Sequence, residues 1–351
     1  MSFDQISELQ PLFRRIDELQ ASLDMQKARF REAYDRIMDA WAVESTYNSN
    51  TIEGSTLSLG DTALVYEGLQ VDGPADDIRQ AEGGFLALRF LRQSLAEDLP
   101  LSEDLVKRAH ELVFADAKDL EERGRYRRVQ VEISGTDFIP TPAVYIEERM
   151  GQLVASCNRS TRHPVIIAAL FHLEFESIHP FVNANGRTGR LLSNYILMKS
   201  GYEPVNIQAE SRMRYIAALR AFQQQDDPYP FVAFFALNLE ERLERLTTLM
   251  DDDTTGRADS GSRVTAYLDA PDLGDSFEDG GEAGFGGSSP AALSERICDL
   301  LRMDGSLTQA QLAERLSVSP ITIKRAMKRM EETGVLVRRG GRRYGRWVVR
   351  D

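Results

Sequence analysis

Residues 179–190 read His-Pro-Phe-Val-Asn-Ala-Asn-Gly-Arg-Thr-Gly-Arg, and an apolar run with Leu191, Leu192, Tyr195, Ile196 and Leu197 follows at once. This is a polar turn feeding a buried helix. Such a junction points free backbone N–H groups, and the positive end of the helix dipole, into the turn. The stretch therefore demands a helical core on one side and an anion-sized recess on the other. Gly186 lets the backbone close on a ligand, Arg187 and Arg190 supply charge, and His179 stands eight residues before Arg187 with Phe181 as an apolar anchor. Each group alone has an ordinary explanation: a packed histidine, an Asn-Gly turn, a solvated arginine face. The fixed spacing of all of them is what points to phosphate chemistry.

Around this motif the chain is helical by periodicity. Ile6, Leu9, Leu12, Phe13, Ile16, Leu19 and Leu23, then Ala33, Ile37 and Trp41, fill one stripe within residues 3–45, with a break expected near Pro11. Further helices are predicted at 61–69 (capped by Ser58 or Asp61), 78–96, 103–115, 145–158, 164–178, 187–200, 211–225 and 229–249. Between Gly124 and Tyr145 the pattern changes. Val129, Val131 and Ile133, then Ser-Gly-Thr-Asp, then Phe138 and Ile139 before Pro-Thr-Pro, read as a short hairpin. The fold class expected is mainly α.

Charge is unevenly spread over the 351 residues, whose formal net charge is −13. Residues 251–289 carry 2 Lys and Arg against 10 Asp and Glu and are poor in apolar side chains, as in a solvated linker. Residues 290–351 carry 13 against 7, a basic tail on an acidic body, which suggests that only the tail meets nucleic acid. Its pattern is that of a winged helix-turn-helix. Leu293, Ile297, Leu300 and Leu301 form a first helix, and Thr308 caps a second. Pro320 opens a third, which carries Lys324, Arg325, Lys328 and Arg329, and a basic wing holds Arg338, Arg339, Arg342 and Arg343. Four domains are expected: 1–100, 101–250, the linker 251–289 and the tail 290–351. Cys157 and Cys298 alone indicate a reducing compartment. No signal peptide and no run near the roughly 20 apolar residues of a membrane span is seen, so a cytoplasmic protein is expected.

The motif resembles the signature of the Fic family, His-x-Phe-x-(Asp/Glu)-(Gly/Ala)-Asn-Gly-Arg-x-x-Arg, matching at His179, Phe181, Ala184, Asn185, Gly186, Arg187 and Arg190. The resemblance implies a helical bundle with a hairpin flap and transfer of AMP from ATP to a Ser, Thr or Tyr hydroxyl of a target protein, this protein itself included. His179 would be the general base. ATP would be held by residues 183–190, that is Asn183, Ala184, Asn185, Gly186, Arg187, Thr188, Gly189 and Arg190, with Tyr215 near the adenosine. The flap, Val131, Glu132, Ile133, Ser134, Gly135, Phe138 and Ile139 within about 131–142, would pair with an extended target segment. Ser49 and Glu53 match the family's inhibitory pattern (Ser/Thr)-x-x-x-Glu-(Gly/Asn), in a helix at about 45–54, with Glu53 opposing Arg190. Asn183 departs from the signature: it stands where the family carries an acid that helps hold Mg²⁺, so metal there would rest on a neutral amide oxygen. Alternatives are transfer of another phosphate-containing group, and a nucleotide-sensing regulator that contacts DNA through Lys324, Arg325, Lys328, Arg329, Arg339 and Arg342. A homodimer is the default assembly.

Overall fold

The computed structural model describes residues 5–114, 120–133 and 136–253 and scattered positions between 297 and 349. The chain divides into two units, Met1–Ala270 and Pro271–Asp351.

In the first unit the apolar stripe of the N-terminal segment folds as two helices, α1 (Gln10–Arg29) and α2 (Arg31–Ile52). Pro11 sits in the first turn of α1, where its missing N–H costs nothing. The interruption comes instead at Phe30, whose φ of −124° and ψ of 49° leave the helical region. The ladder then runs α3 (Leu59–Tyr66), α4 (Ala75–Ala96), α5 (Glu103–Val113), α6 (Ile146–Arg159), α7 (Pro164–Ile178), α8 (Asn185–Lys199), α9 (Arg212–Gln225) and α10 (Tyr229–Asp253). Ser58 and Asp61 form a reciprocal capping box on α3, and Ser102 accepts from the Leu105 N–H to cap α5.

α7 and α8 are the central pair, α10 lies along α1, and α4 packs on α5. One continuous core runs from Phe13 and Ile16 through Leu88, Phe171, Phe175 and Leu192 to Phe231 and Leu239. At Gly189 an added Cβ would meet Glu176 Oε1 and His172 Nδ1 at 3.1 Å, so this glycine permits the close approach of α8 to α7. A buried carboxylate ties the outer helices together. Glu203, 1% exposed, meets Lys27 of α1 at 2.6 Å and Arg242 of α10 at 3.3 Å, and accepts from the Tyr34 hydroxyl of α2 at 2.7 Å. Several charged and polar partners offset the desolvation that a lone buried acid would suffer.

The segment 129–142 differs from its expected hairpin. No strand ladder is present among its described residues, and Ser134 and Gly135 lie outside them. Pro140 and Pro142 have no N–H to donate, while the carbonyls of Val129, Pro140 and Thr141 accept from the side chains of Arg127 and Gln130. Groups at both ends of the segment are thus taken by side chains, and its described residues pair in no ladder.

In the second unit Ile297, Cys298, Leu301, Leu312, Ile323, Met327, Met330 and Leu336 make a small separate core. Thr308 and Gln311 cap each other's backbone N–H groups. Strands β1 (Leu336–Arg339) and β2 (Arg346–Val349) pair antiparallel, Leu336 opposite Val349 and Arg339 opposite Arg346. The tail is a winged helix-turn-helix with this two-stranded wing. Lys324, Arg325, Lys328, Arg329 and Arg342 lie outside the described residues.

Candidate active site

The site is the turn between α7 and α8. α7 ends at His179, which takes the left-handed conformation (φ 51°), and α8 starts after Ala184, also left-handed (φ 60°). Side-chain-bearing residues avoid this region unless their surroundings over-determine them, and here they do. Asn185 accepts from the Phe181 N–H and donates to the Phe181 carbonyl, both at 2.9 Å. Phe181, fully buried, stacks on His110 with ring centroids 3.6 Å apart. His110 Nδ1 accepts from the Gly124 N–H at 3.1 Å, so the proton sits on Nε2, which donates to the Asn183 carbonyl at 3.2 Å. Burial pushes the His110 imidazole down to about 3, fixing it as a neutral brace. His110 was invisible in the sequence as a site residue: a single histidine on an apolar helix face carries no signal for a partner in another element.

His179 itself is 15% exposed, with Nδ1 3.8 Å from Glu176 Oε2, too long for a hydrogen bond. Burial lowers its imidazole to about 4; the Glu176 carbonyl opposes that shift, the Arg127 charge adds to it, and Glu53 opposes it. At neutral pH the ring is uncharged and able to accept a proton. Burial drives Glu176 up to about 8, with Glu53 adding to the rise and Arg190 opposing it, so this carboxyl holds its proton.

Both arginines of the motif are buried, each 7% exposed. Arg187 Nε and Nη1 have no hydrogen-bond partner among the described residues. Arg190 is fully engaged. Nε donates to Ser49 Oγ at 2.9 Å, Nη2 to the Ser49 carbonyl at 2.9 Å and to Glu53 Oε1 at 2.8 Å, and Nη1 to the Tyr215 hydroxyl at 3.2 Å. Glu53 is drawn up by burial, but Arg190, then Arg187 and Arg212, outweigh this and hold the carboxyl below its ordinary range. The Glu53 carboxylate also lies against Gly186, where a Cβ would collide with Oε1. Ser49 and Glu53 thus share one guanidinium, one helical turn apart on α2.

The end of α2 explains why Glu53 is held there. Ser55 N–H returns to the Asn50 carbonyl and Gly54 N–H to the Thr51 carbonyl, both at 3.0 Å, around Gly54 with φ 103°. This is a Schellman cap, which favours glycine at its left-handed residue. Arg212 donates to the Ile52 carbonyl at 2.9 Å, and Asn48 accepts from the Ala209 N–H at 3.0 Å. Tyr215, 2% exposed, is enclosed between Arg190 and His172, whose Nε2 lies 2.8 Å from its hydroxyl. Thr188 is buried in the first turn of α8.

The expected metal position does not fit a protein-held cation. Asn183 Oδ1 accepts from the Ala184 N–H at 2.6 Å, and no cluster of three acidic, His or Cys side chains suited to a metal occurs among the described residues.

The sequence profile of the Fic/DOC family matches residues 100–197, and that of winged helix-turn-helix DNA-binding domains matches residues 288–337. The solved structure of Fic-1 (residues 134–508) from C. elegans superposes with a TM-score of 0.61 at 30% identity, covering 72% of this chain and 76% of that one. The chain belongs to the Fic/DOC family. A Fic domain containing signaling protein from Bacteroides thetaiotaomicron is similar as well, with a TM-score of 0.61 and 25% identity over 68% of this chain and 98% of its own. Among curated proteins, the protein adenylyltransferase Fic of Drosophila sechellia is 33% identical over 237 residues, 66% of this chain and 48% of the relative. That of Drosophila virilis is 36% identical over 202 residues, 56% and 41% respectively. The chain spans about half the length of these curated relatives or less. Among the described residues no helix is long and apolar enough to cross a membrane.

Proposed function

We propose that this Fic protein transfers AMP from ATP to a hydroxyl of a protein target, and that Glu53 restrains it. The observation that carries the reading is the carboxylate of Glu53 seated against Gly186 and Arg190 at the start of α8. The recess already holds an anion. A nucleotide phosphate is an anion of higher charge with more acceptor oxygens, and displacing Glu53 would give it Arg190, the unpartnered edge of Arg187 and the N–H groups of the first turn of α8.

The chemistry follows from the residues. The uncharged His179 ring takes the proton of the target hydroxyl as its oxygen attacks the α-phosphorus. The bond from the α-phosphorus to the bridging oxygen breaks, and pyrophosphate leaves with its charge on Arg187 and Arg190. Backbone N–H groups at the start of α8 stabilise the crowded α-phosphoryl without reorganising. Tyr215, enclosed beneath Arg190, aims that guanidinium. No step is assigned to Mg²⁺, since Asn183 offers only a neutral amide oxygen, already hydrogen-bonded to the Ala184 N–H, where the family signature carries an acid. The loop around 129–142, with Val129 59% and Ile139 76% exposed, is the surface assigned to the target segment. We assign regulation to residues 1–100, transfer to 101–250 and DNA contact to the tail, with 251–289 as spacer.

Two labelled forms of ATP test this. With the Glu53→Gly variant, label from the α-position should appear on protein and label from the γ-position should not. Transfer of γ-label would mean phosphorylation. Absence of both, with ATP binding retained, would leave a nucleotide sensor, the reading that Asn183 and the winged helix favour.

A further inference from the structure

Arg127 is 1% exposed and has no ion-pair partner among the described residues. Its guanidinium is satisfied by backbone carbonyls alone. Nε donates to the His179 carbonyl at 2.8 Å, Nη1 to Val129 at 2.8 Å, and Nη2 to Thr141 and, at 3.3 Å, to Ile178. Ile178 and His179 close α7, so their carbonyls are orphans of the helix end and carry its negative dipole. That dipole is what makes a buried cation tolerable there. Two backbone bonds run parallel: Arg127 N–H to the Pro180 carbonyl at 2.9 Å and Thr141 N–H to the Ser177 carbonyl at 3.3 Å. One side chain therefore grips both ends of the 129–141 loop and the residue whose left-handed backbone aims the His179 ring.

We propose that Arg127 is the positioning residue of this site, holding His179 and the loop in one frame so that a segment docked on the loop also sets where the His179 ring stands. The role in transfer rests on the function proposed above; the frame itself does not. A planar fork of five donors suits several carbonyls at once, and a lysine ammonium, a point charge on a flexible stem, does not. The charged and titratable groups facing the ring are Arg127, Glu176 of α7 and Glu53 of α2.

Arg127→Met and Arg127→Lys, made in the full chain, test this without relying on turnover. The chain has 4 histidines, so ring NMR resolves each, and His179→Gln assigns the one in question. In the parent protein the His179 ring should stay neutral down to about pH 5. Arg127→Met removes a neighbouring positive charge, and the ring should titrate at higher pH, toward the ordinary value of about 6.5. Arg127→Lys keeps the charge and should leave titration low. Both variants should raise amide hydrogen exchange in 129–141 and 177–181 together. In the Glu53→Gly background both should lower kcat tenfold or more with the KM for ATP unchanged. A His179 titration in Arg127→Met that coincides with the parent, the other three histidines also unchanged, overturns the proposal. So does exchange that rises in one segment alone. Should Arg127→Met fail to fold, unaltered exchange in Arg127→Lys overturns it equally. If the Glu53→Gly protein transfers no AMP, the functional reading falls and the ring and exchange measurements still decide the frame.

Discussion

The carboxylate of Glu53 occupies the space that a side chain at Gly186 would need, while its other partner is the Arg190 guanidinium 2.8 Å away. One carboxylate thus covers both the neutral and the charged wall of the anion recess. On the proposed function, a nucleotide phosphate would have to displace Glu53 to enter it.

Glu53→Gly should accordingly raise ATP affinity tenfold or more, about 1.4 kcal/mol, and raise AMP transfer with it. Calorimetric titration of both proteins reads this. Equal affinities would mean that the ion pair does not compete with nucleotide.

His179→Ala should lower transfer by about 10² to 10⁴, the usual cost of losing a general base, with ATP affinity kept. The pH profile gives a second readout. Burial holds the ring at about 4, so the uncharged, proton-accepting form persists well below the ordinary histidine range. The acid limb of kcat/KM in the Glu53→Gly protein should fall below about pH 6. A limb at or above 6.5 would mean that another group accepts the proton.

Asn183→Asp, in the Glu53→Gly background, should make transfer more sensitive to added Mg²⁺, because a carboxylate offers the cation a full charge where the amide offers none. The comparison is activity across a magnesium titration for the two side chains. A loss of activity at every concentration would show a site adapted to a neutral residue.

Stability should fall on the acid side through two other histidines. Burial lowers His110 and His172 to about 3, so between about 6.5 and 3 the unfolded chain binds protons that the folded one refuses. Their contribution is complete above about pH 6.5 and is lost as pH falls, by up to about 1.4 kcal/mol per unit for each ring. Glu176, raised to about 8, acts in the opposite sense, its contribution complete below about 4.5 and lost as pH rises toward 8. Denaturant midpoints from pH 5 to 8 for His110→Gln should show a flatter acid slope than the parent protein. An unchanged slope would mean that His110 is charged in the folded state.

The tail should bind duplex DNA with a steep salt dependence, since each neutralised phosphate releases counterions. Lys324→Ala and Arg325→Ala together should weaken full-chain binding and reduce the slope of affinity against salt. Binding that ignores both the substitutions and the salt would mark the tail as a protein-contact module.

The motif was legible because its chemistry lies in one unbroken run, and the helices because apolar spacing along them is regular. Ser58 and Ser102 announced their helix starts by residue type. The Glu53–Arg190 pair came from the family resemblance; what escaped otherwise acts through backbone or across distance. Arg127 binds carbonyls, which every residue possesses and no sequence pattern advertises. His110 reaches Phe181 and Asn183 from another helix. The alternation of Val129, Val131 and Ile133 suggested strands, yet side chains from Arg127 and Gln130 take the carbonyls of Val129, Pro140 and Thr141, and Pro140 and Pro142 have no N–H to give. Alternation describes which faces are apolar, and says nothing about who else wants the hydrogen bonds.

The cap at the end of α2 has a metric consequence. A helix turns by roughly 100° per residue, and Gly54 stops α2 immediately after Glu53. The stop works as a ruler. One residue inserted between Ser49 and Glu53 would leave every existing side chain in the chain, yet swing the carboxylate a quarter-turn or more off Arg190. Whatever winds or unwinds that last turn would dial the charge in the recess, with Ile52 the residue of the main core that moves with it.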